Sequence, residues 1–415
     1  MAKNKGKLLT FTAVILIAFL LCFFSTPLFK ERLYDNLINT DSPIENTRTE
    51  EQRNRSDEDS NSNFVYPEPD NYSGIKHIAW LPDWANVSGF ESLKTNKDLF
   101  YQISPVWFEV NPDGSLIDKR PANYAQIEAY CRENGIEVIP TIAMFDHELF
   151  SEVLRSQQNL DRHVKAILDI VEKENYDGID LDYESTKLSD KEAFFEILEK
   201  LSVELRENER KFIFTVLPQW EANKGYQSLR ETRKVQDWGR IGELVDEIRI
   251  MSYDYTSSRS INPGPIAPLD WLEEVIEYSI RRVPREKIFI GIHLYSYEWW
   301  MDADEYDKVS EDKNTLRFAE SSTFNPPINN KSARSYTYIT NKNILENFSG
   351  ETSSYQGEII HQYRKDNPQT GVIEERVLVM IDKQGLRARQ DLVEKYKLGG
   401  VAYWRLGGDA DLLER

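Results

Sequence analysis

The sequence predicts an α/β fold: a closed (β/α)8 TIM barrel with a small α+β insertion between its seventh and eighth strands. Three observations lead there. From about Ile75 onward, eight short apolar runs alternate with amphipathic segments, and strict alternation of strand and helix implies a parallel sheet. Eight repeats spread over roughly 340 residues suit a closed barrel with one insertion. Polar and aromatic residues gather where the strands end: Trp84, Trp107, Asp146, Glu184, Trp220, Tyr253, Asp254, Tyr295 and Trp404. Barrel enzymes build their sites at that end, which disfavours the alternative of an open doubly wound sheet.

The chain has 415 residues, 40% of them hydrophobic. That is enough for one core of roughly 250–350 residues. Met1–Lys7 is basic, and Leu8–Phe29 follows as 22 residues without a charge. Such a run spans a bilayer, and the basic start places the N-terminus inside and the rest outside. No small-x-small cleavage site closes it. Residues 1–29 therefore read as a transmembrane signal-anchor carrying an extracellular catalytic domain, the alternative being a cleaved signal and a secreted protein. Residues 30–72 are polar and read as a disordered linker. Residues 73–415 are the barrel domain.

Within it, His77–Leu81 reads as a strand and Phe90–Leu93 as a short helix. Leu99–Val110 is a strand running into the turn at Asn111-Pro-Asp-Gly114. Ala122–Asn134 is a helix stopped by Gly135, and Ile136–Met144 a strand. Leu149–Lys173 carries Val164, Ile167, Leu168 and Val171 at helical spacing. The strand around Asp180 comes next, then a helix over Asp190–Arg206 with Ser189 as its N-cap. Phe212–Leu217, Glu247–Tyr253 and Lys287–Leu294 are strands, separated by helices over Val235–Leu244 and Leu269–Arg282. Residues 299–376 break the alternation with strand-like runs at Ser335–Ile339, Glu358–Tyr363 and Val372–Met380 and a short helix near Lys342–Phe348. Leu386–Lys397 is the last helix and Val401–Trp404 the last strand.

The informative stretch is Asp177-Gly-Ile-Asp180-Leu-Asp182-Tyr-Glu184. Residues two apart on a strand share a face, so Asp180, Asp182 and Glu184 project into one space. Three acids on a buried face are costly, and each raises the proton affinity of its neighbours. Acid–base chemistry is the usual reason for such an arrangement. A carboxyl kept protonated near neutral pH can donate to a leaving oxygen, which breaking a glycosidic bond requires. Ordinary glycosidases place two carboxyls on opposite sides of the bond. Here both stand on one strand, so Asp182 is badly placed to attack the anomeric carbon. The nucleophile is then supplied by the substrate, as the carbonyl oxygen of a 2-acetamido group, and an N-acetylated sugar is expected. Other readings of the acids are an outward-facing strand and a metal-dependent hydrolase.

This stretch resembles the Asp-x-x-Asp-x-Asp-x-Glu signature of glycoside hydrolase family 18, the chitinase-like barrels. Met251-Ser-Tyr-Asp254 resembles that family's sixth-strand motif. Gly264–Pro268 with Trp271, Lys287–Tyr295, and Gly400–Gly407 resemble its spore-germination and cell-wall branch. The resemblance implies Glu184 as acid/base, Asp182 as the partner that orients the acetamido group, and Asp180 as modulator of Asp182. It implies that Tyr253 bonds the acetamido oxygen, that Asp254 touches substrate, and that Trp404 floors the reacting sugar. Met251, Trp107 and Trp84 complete the expected substrate-binding set, with Trp80, Trp220, Trp299 and Trp300 as further stacking candidates. Asp177 reads as a turn cap. Chitinases usually carry Ser-x-Gly-Gly on the third strand, where this chain has Val138-Ile-Pro-Thr-Ile-Ala-Met-Phe145, so peptidoglycan or another surface polysaccharide is expected rather than chitin. A non-catalytic sugar-binding barrel is the alternative function.

Composition narrows the partners. A net charge of −19 argues against nucleic acid. The five histidines form no spaced cluster, and no Gly-rich phosphate loop follows a strand, so no metal and no cofactor are expected. Cys22 and Cys131 lie in unlike segments, and no disulfide is expected. The expected partners are a polysaccharide containing N-acetylglucosamine and, through the N-terminal segment, the membrane, with the protein itself a monomer.

Overall fold

The computed structural model describes residues 65–220, 231–260, 263–310, 333–409 and 411–413. Eight parallel strands form a closed barrel: β1 (Lys76–Pro82), β2 (Gln102–Val110), β3 (Thr141–Met144), β4 (Gly178–Tyr183), β5 (Lys211–Val216), β6 (Glu247–Ile250), β7 (Ile288–His293) and, at the end of the chain, β13 (Gly400–Trp404). Each pairs with the next, and β1 pairs with both β2 and β13, which closes the ring. These strands are buried on both faces, as parallel strands under helices must be. One row of each strand packs outward against the helices in a single large core. The other row meets inside, where Ile78, Trp80, Phe289 and Ala402 cluster.

The helices that matter for the site are α1 (Asn86–Thr95), α2 (Tyr124–Glu133), α3 (His147–Leu154), α4 (Gln157–Glu174) and α5 (Lys191–Glu207). Three local expectations are corrected. The third strand breaks at Ile139-Pro140, because proline has no N–H to give the ladder. The helix expected over Leu149–Lys173 is two helices. Asp146 caps α3 through the Glu148 and Leu149 amides, and Ser156 starts α4 by accepting from the Asn159 amide. Ser189 is not an N-cap. A 3-10 turn over Leu188–Asp190 intervenes, and the Asp190 carboxylate accepts from Ser151, Arg155 and Ser189 instead. Gly178, at the entry to β4, allows a close approach: a Cβ there would lie 2.2 Å from the Lys211 carbonyl oxygen.

The insertion follows β7 directly and is an antiparallel five-stranded sheet. Its strands are β8 (Tyr295–Asp302), β9 (Arg334–Thr337), β10 (Gly350–Tyr355), β11 (Glu358–Asp366) and β12 (Ile373–Met380), in the order β9-β8-β12-β11-β10. It therefore begins at Tyr295 and runs through Met380, wider than the expected 299–376. One face carries Tyr297, Trp299, Ile360, Val377 and Val379 against Ile266. Its other face joins the main core through Tyr363, Leu378 and Met380, and a buried polar anchor adds to that packing. The buried Glu358 carboxylate accepts from the Ile266 amide at 2.7 Å, the Ala267 amide at 2.8 Å and the Arg389 guanidinium at 2.9 Å.

Among the described residues no helix is long and apolar enough to cross a membrane. The expectations of a transmembrane signal-anchor, a membrane partner and a membrane-bound location are corrected to that extent: the described residues supply no such helix. Leu8–Phe29, on which that expectation rested, lies outside the described residues, as does most of the linker. Contacts with the barrel also begin before residue 73: the Tyr66 amide donates to the Ile280 carbonyl at 2.7 Å.

Removing one partner of a buried ion pair strands the other charge. Glu358→Ala is accordingly expected to destabilise the fold by about 3–5 kcal/mol, read as a lower urea midpoint. An unchanged midpoint would show that Glu358 does not fasten the insertion.

Candidate active site

The acid strand β4 alternates as its sequence requires. Ile179, Leu181 and Tyr183 face the helices. The Tyr183 ring meets Phe150 at 4.8 Å and Phe214 at 6.2 Å. Its hydroxyl lies 2.6 Å from His163 Nε2, while His163 Nδ1 is 3.0 Å from the Gly114 carbonyl oxygen. Burial pushes the His163 pKa down to about 4, so the ring is neutral. Nδ1–H then donates to the carbonyl, and Nε2 accepts from Tyr183. With that row fixed outward, Asp180, Asp182 and Glu184 are turned inward, and all three are buried.

Asp180 lies deepest and is surrounded by donors. Its Oδ2 accepts from Trp80 Nε1 at 3.1 Å, Thr141 Oγ1 at 2.9 Å and an Arg249 guanidinium nitrogen at 3.3 Å. Its Oδ1 accepts from Thr215 Oγ1 at 2.9 Å. These groups stand on β1, β3, β6 and β5, so four strands converge on one carboxylate of a fifth. Indole and guanidinium nitrogens can only donate, which fixes Asp180 as an acceptor. Arg249, fully buried, also donates to Glu247 at 3.0 Å and to Ser104 Oγ.

One step toward the mouth, Asp182 is in a different condition. Its Oδ1 finds no hydrogen-bond partner among the described residues. Burial first, then the charges of Glu184 and Asp180, hold its carboxyl well above the usual carboxylate range. Tyr253 faces the same acids. Burial and the charges of Asp182, Glu184, Asp254 and Asp180 push its phenol up, so it remains a donor. Met251 is buried just past the end of β6, two residues before Tyr253. Asp254 takes a left-handed backbone, φ 59°, which aspartate tolerates better than most residues. Its Oδ1 accepts from the hydroxyls of Tyr295 and Tyr297, at 2.9 Å for the latter. The insertion thus braces the sixth-strand loop.

The tryptophans separate into different jobs. Trp404 ends β13, is partly exposed, and sets its ring edge-on to Trp80 at 5.9 Å. Trp84 is partly exposed at the end of β1 and is covered by the Arg405 guanidinium at 3.8 Å. Trp107 is a correction. It is wholly buried in the outer core, edge-on to Tyr124 of α2, and the structure does not bring it to the acids. Trp80 is also buried, and serves Asp180 rather than a sugar. Trp299 is buried in the insertion, donating to the Ser260 carbonyl, and Trp220 packs on Trp271. Trp300 lies between Arg334 and Arg376. Asp177 has a structural task, accepting from the Val138 amide at 2.8 Å.

The sequence profile described as Glycosyl hydrolases family 18 matches residues 70–409. The chain belongs to this family. Among curated relatives, the putative sporulation-specific glycosylase YdhD of Bacillus subtilis is 31% identical over 155 residues, 37% of this chain and 35% of that protein. The cortical fragment-lytic enzyme of Bacillus anthracis is 24% identical over 310 residues, 72% of this chain and 63% of the relative. The chain thus spans about a third and under two thirds of the lengths of these relatives. Among solved structures, the Bacillus cereus spore cortex-lytic enzyme SleL superposes with a TM-score of 0.66 at 20% identity, covering 83% of this chain and 74% of SleL. At that identity the likeness shows the fold.

Part of the support around the acids was not visible in the signature. Arg249, Thr141, Thr215 and Ser104 were missed. Arg249 carried a signal: Glu247, Arg249, Met251 and Tyr253 are two apart, so a charged pair shares the inward row that ends at Tyr253. Thr141 also answers the missing third-strand motif, because that strand still supplies a donor to Asp180.

The raised proton affinity of Asp182 has a consequence for stability. An acid with a folded pKa above its unfolded value stabilises the fold below the unfolded pKa, and that contribution disappears as pH rises through the folded value. The melting temperature is expected to fall as pH rises from about 4 by a component that Asp182→Asn removes. Melting curves across pH check this, and parallel curves for the two proteins would mean that Asp182 is ionised at rest.

Proposed function

We propose that this family 18 barrel is a retaining glycosidase that hydrolyses β-linked N-acetylglucosamine-containing glycans by substrate-assisted catalysis. The observation that carries this reading is the single inward row on β4, with Asp182 buried beside Glu184 instead of across the sugar from it. Glu184 gives its proton to the glycosidic oxygen as the bond to the anomeric carbon breaks. The carbonyl oxygen of the 2-acetamido group attacks that carbon from the other side, forming a cyclic oxazolinium ion. Family 18 is the established exception in which the substrate replaces the enzyme nucleophile.

The remaining roles follow from position. Asp182 accepts the acetamido N–H and stabilises the positive charge of the ring. The Tyr253 hydroxyl donates to the acetamido oxygen. Water then attacks the anomeric carbon from the face the leaving sugar vacated, and Glu184, now a carboxylate, takes its proton. Two displacements at one carbon return the original configuration. Trp404 supports the reacting sugar with its exposed ring, and Asp254, Met251 and Trp84 line the approach.

For the polymer, peptidoglycan or another surface polysaccharide is favoured over chitin. The support is the absence of the third-strand Ser-x-Gly-Gly, together with relatives named for lysis of the spore cortex and its fragments. The test is incubation with peptidoglycan, chitin and poly-N-acetylglucosamine, with products read by mass. Release of N-acetylglucosamine-terminated fragments is expected, falling by about a thousandfold in Glu184→Gln while binding persists. Binding without product from any of the three polymers, in the wild type, would identify a sugar-binding barrel instead.

A further inference from the structure

Family signatures name the acids on β4 but not the cation beneath them. Arg249 is fully buried in the barrel, between two carboxylates on two strands: Glu247 at 3.0 Å and Asp180 at 3.3 Å. Its guanidinium also donates to Ser104 Oγ and lies 5.9 Å from the centre of the Trp80 ring. Trp80 in turn donates to the same Asp180 oxygen. Two obligate donors therefore converge on Asp180 Oδ2, where a carboxyl proton would be repelled. Asp182 Oδ1, in contrast, has no partner among the described residues.

We propose that Arg249 is a positioning residue for the reaction: it holds Asp180 as a carboxylate and so confines the proton shared along β4 to Asp182 and Glu184, the pair facing the sugar. This rests on the reading of Glu184 as the proton donor. Without the cation, Glu247 and Asp180 would face each other as bare like charges, and a proton would be drawn down to them. It would then sit one step too deep to serve the glycosidic oxygen. The charged and titratable groups around this point are few. Asp182 and Glu184 follow Asp180 along the acid row, Glu247 stands on β6 and Tyr253 just past its end, and Tyr101, just before β2, donates to Glu247. Lys76 and Lys211 lie beyond Tyr101, over its ring. At this level β1, β3, β5, β7 and β13 offer Trp80, Thr141, Thr215, Phe289 and Ala402, all neutral.

The experiment is the pH profile of kcat and KM for the full chain on an N-acetylglucosamine oligomer, in the wild type, Arg249→Met and Arg249→Lys. Removing a cation makes the cluster keep its protons longer, so the alkaline limb of Arg249→Met is expected to move up by about one pH unit. Its kcat is expected to fall at least about tenfold with KM little changed, and Arg249→Lys to restore the limb. If Arg249→Met does not fold, Arg249→Gln, which keeps donors for both carboxylates, reads the same limb. A purely structural role would lower activity or stability without moving the limb, and a folded neutral variant with the wild-type limb overturns the proposal. A second readout needs no turnover. Carbon-13 NMR of aspartate-labelled protein is expected to show, beside buried Asp409, a high-titrating aspartate in the wild type that Asp182→Asn removes, and one more in Arg249→Gln than in the wild type. No additional one in Arg249→Gln overturns the proposal, while an inactive wild type with the expected NMR result overturns the functional reading alone.

Discussion

The site depends on one buried carboxylate and the donors around it. Asp180 is wholly removed from water, and an ion that size costs several kcal/mol to bury even after the protein relaxes around it. Four hydrogen bonds onto a charged acceptor, each contributing about 1.5–3 kcal/mol, offset that cost. Because they arrive from β1, β3, β5 and β6, they also register those strands against β4. The same contacts that make the charge tolerable hold the acid strand in place. Asp182 and Glu184 inherit their positions from it, since a one-residue slip would turn the whole row outward.

Charge is then graded along the row. At the bottom, Arg249 and the neutral donors match Asp180. In the middle, Asp182 is buried without such help, and burial and its neighbours favour its protonated form. At the top, Glu184 meets the mouth. On the proposed mechanism, this gradient runs from a fixed carboxylate to a proton-bearing acid to a donor, and it points the proton toward substrate. The insertion completes the wall. Its first strand sends Tyr295 and Tyr297 to Asp254, and Glu358 on β11 is fastened to the segment joining β6 to the next helix.

The barrel was legible because eight apolar runs alternate with helical periods, and the acid row because period-two spacing places three carboxylates on one face. Boundaries failed where backbone chemistry overrode apolarity, as at Pro140 and at the paired caps Asp146 and Ser156. The strand Tyr295–Asp302 was hidden in a run of aromatics read as a barrel-strand end. Gly350–Tyr355 was hidden because it is an exposed edge strand with no apolar face. Trp107 illustrates the limit for the site: Ser104 and Val106 face the barrel interior, so by alternation Trp107 faces the helices, and the register shift between Val106 and Phe108 alters parity only beyond it. Arg249 was missed because an arginine in a barrel strand means nothing until its two carboxylate partners are placed beside it.

The account's central claim is that the sugar brings its own attacking atom. The direct measurement is the initial rate on a β-linked N-acetylglucosamine oligomer against the same oligomer with its amides removed. The claim predicts turnover of the first and none of the second above background. Comparable rates on both would show that a protein group attacks the anomeric carbon, and the row on β4 would have to be read anew.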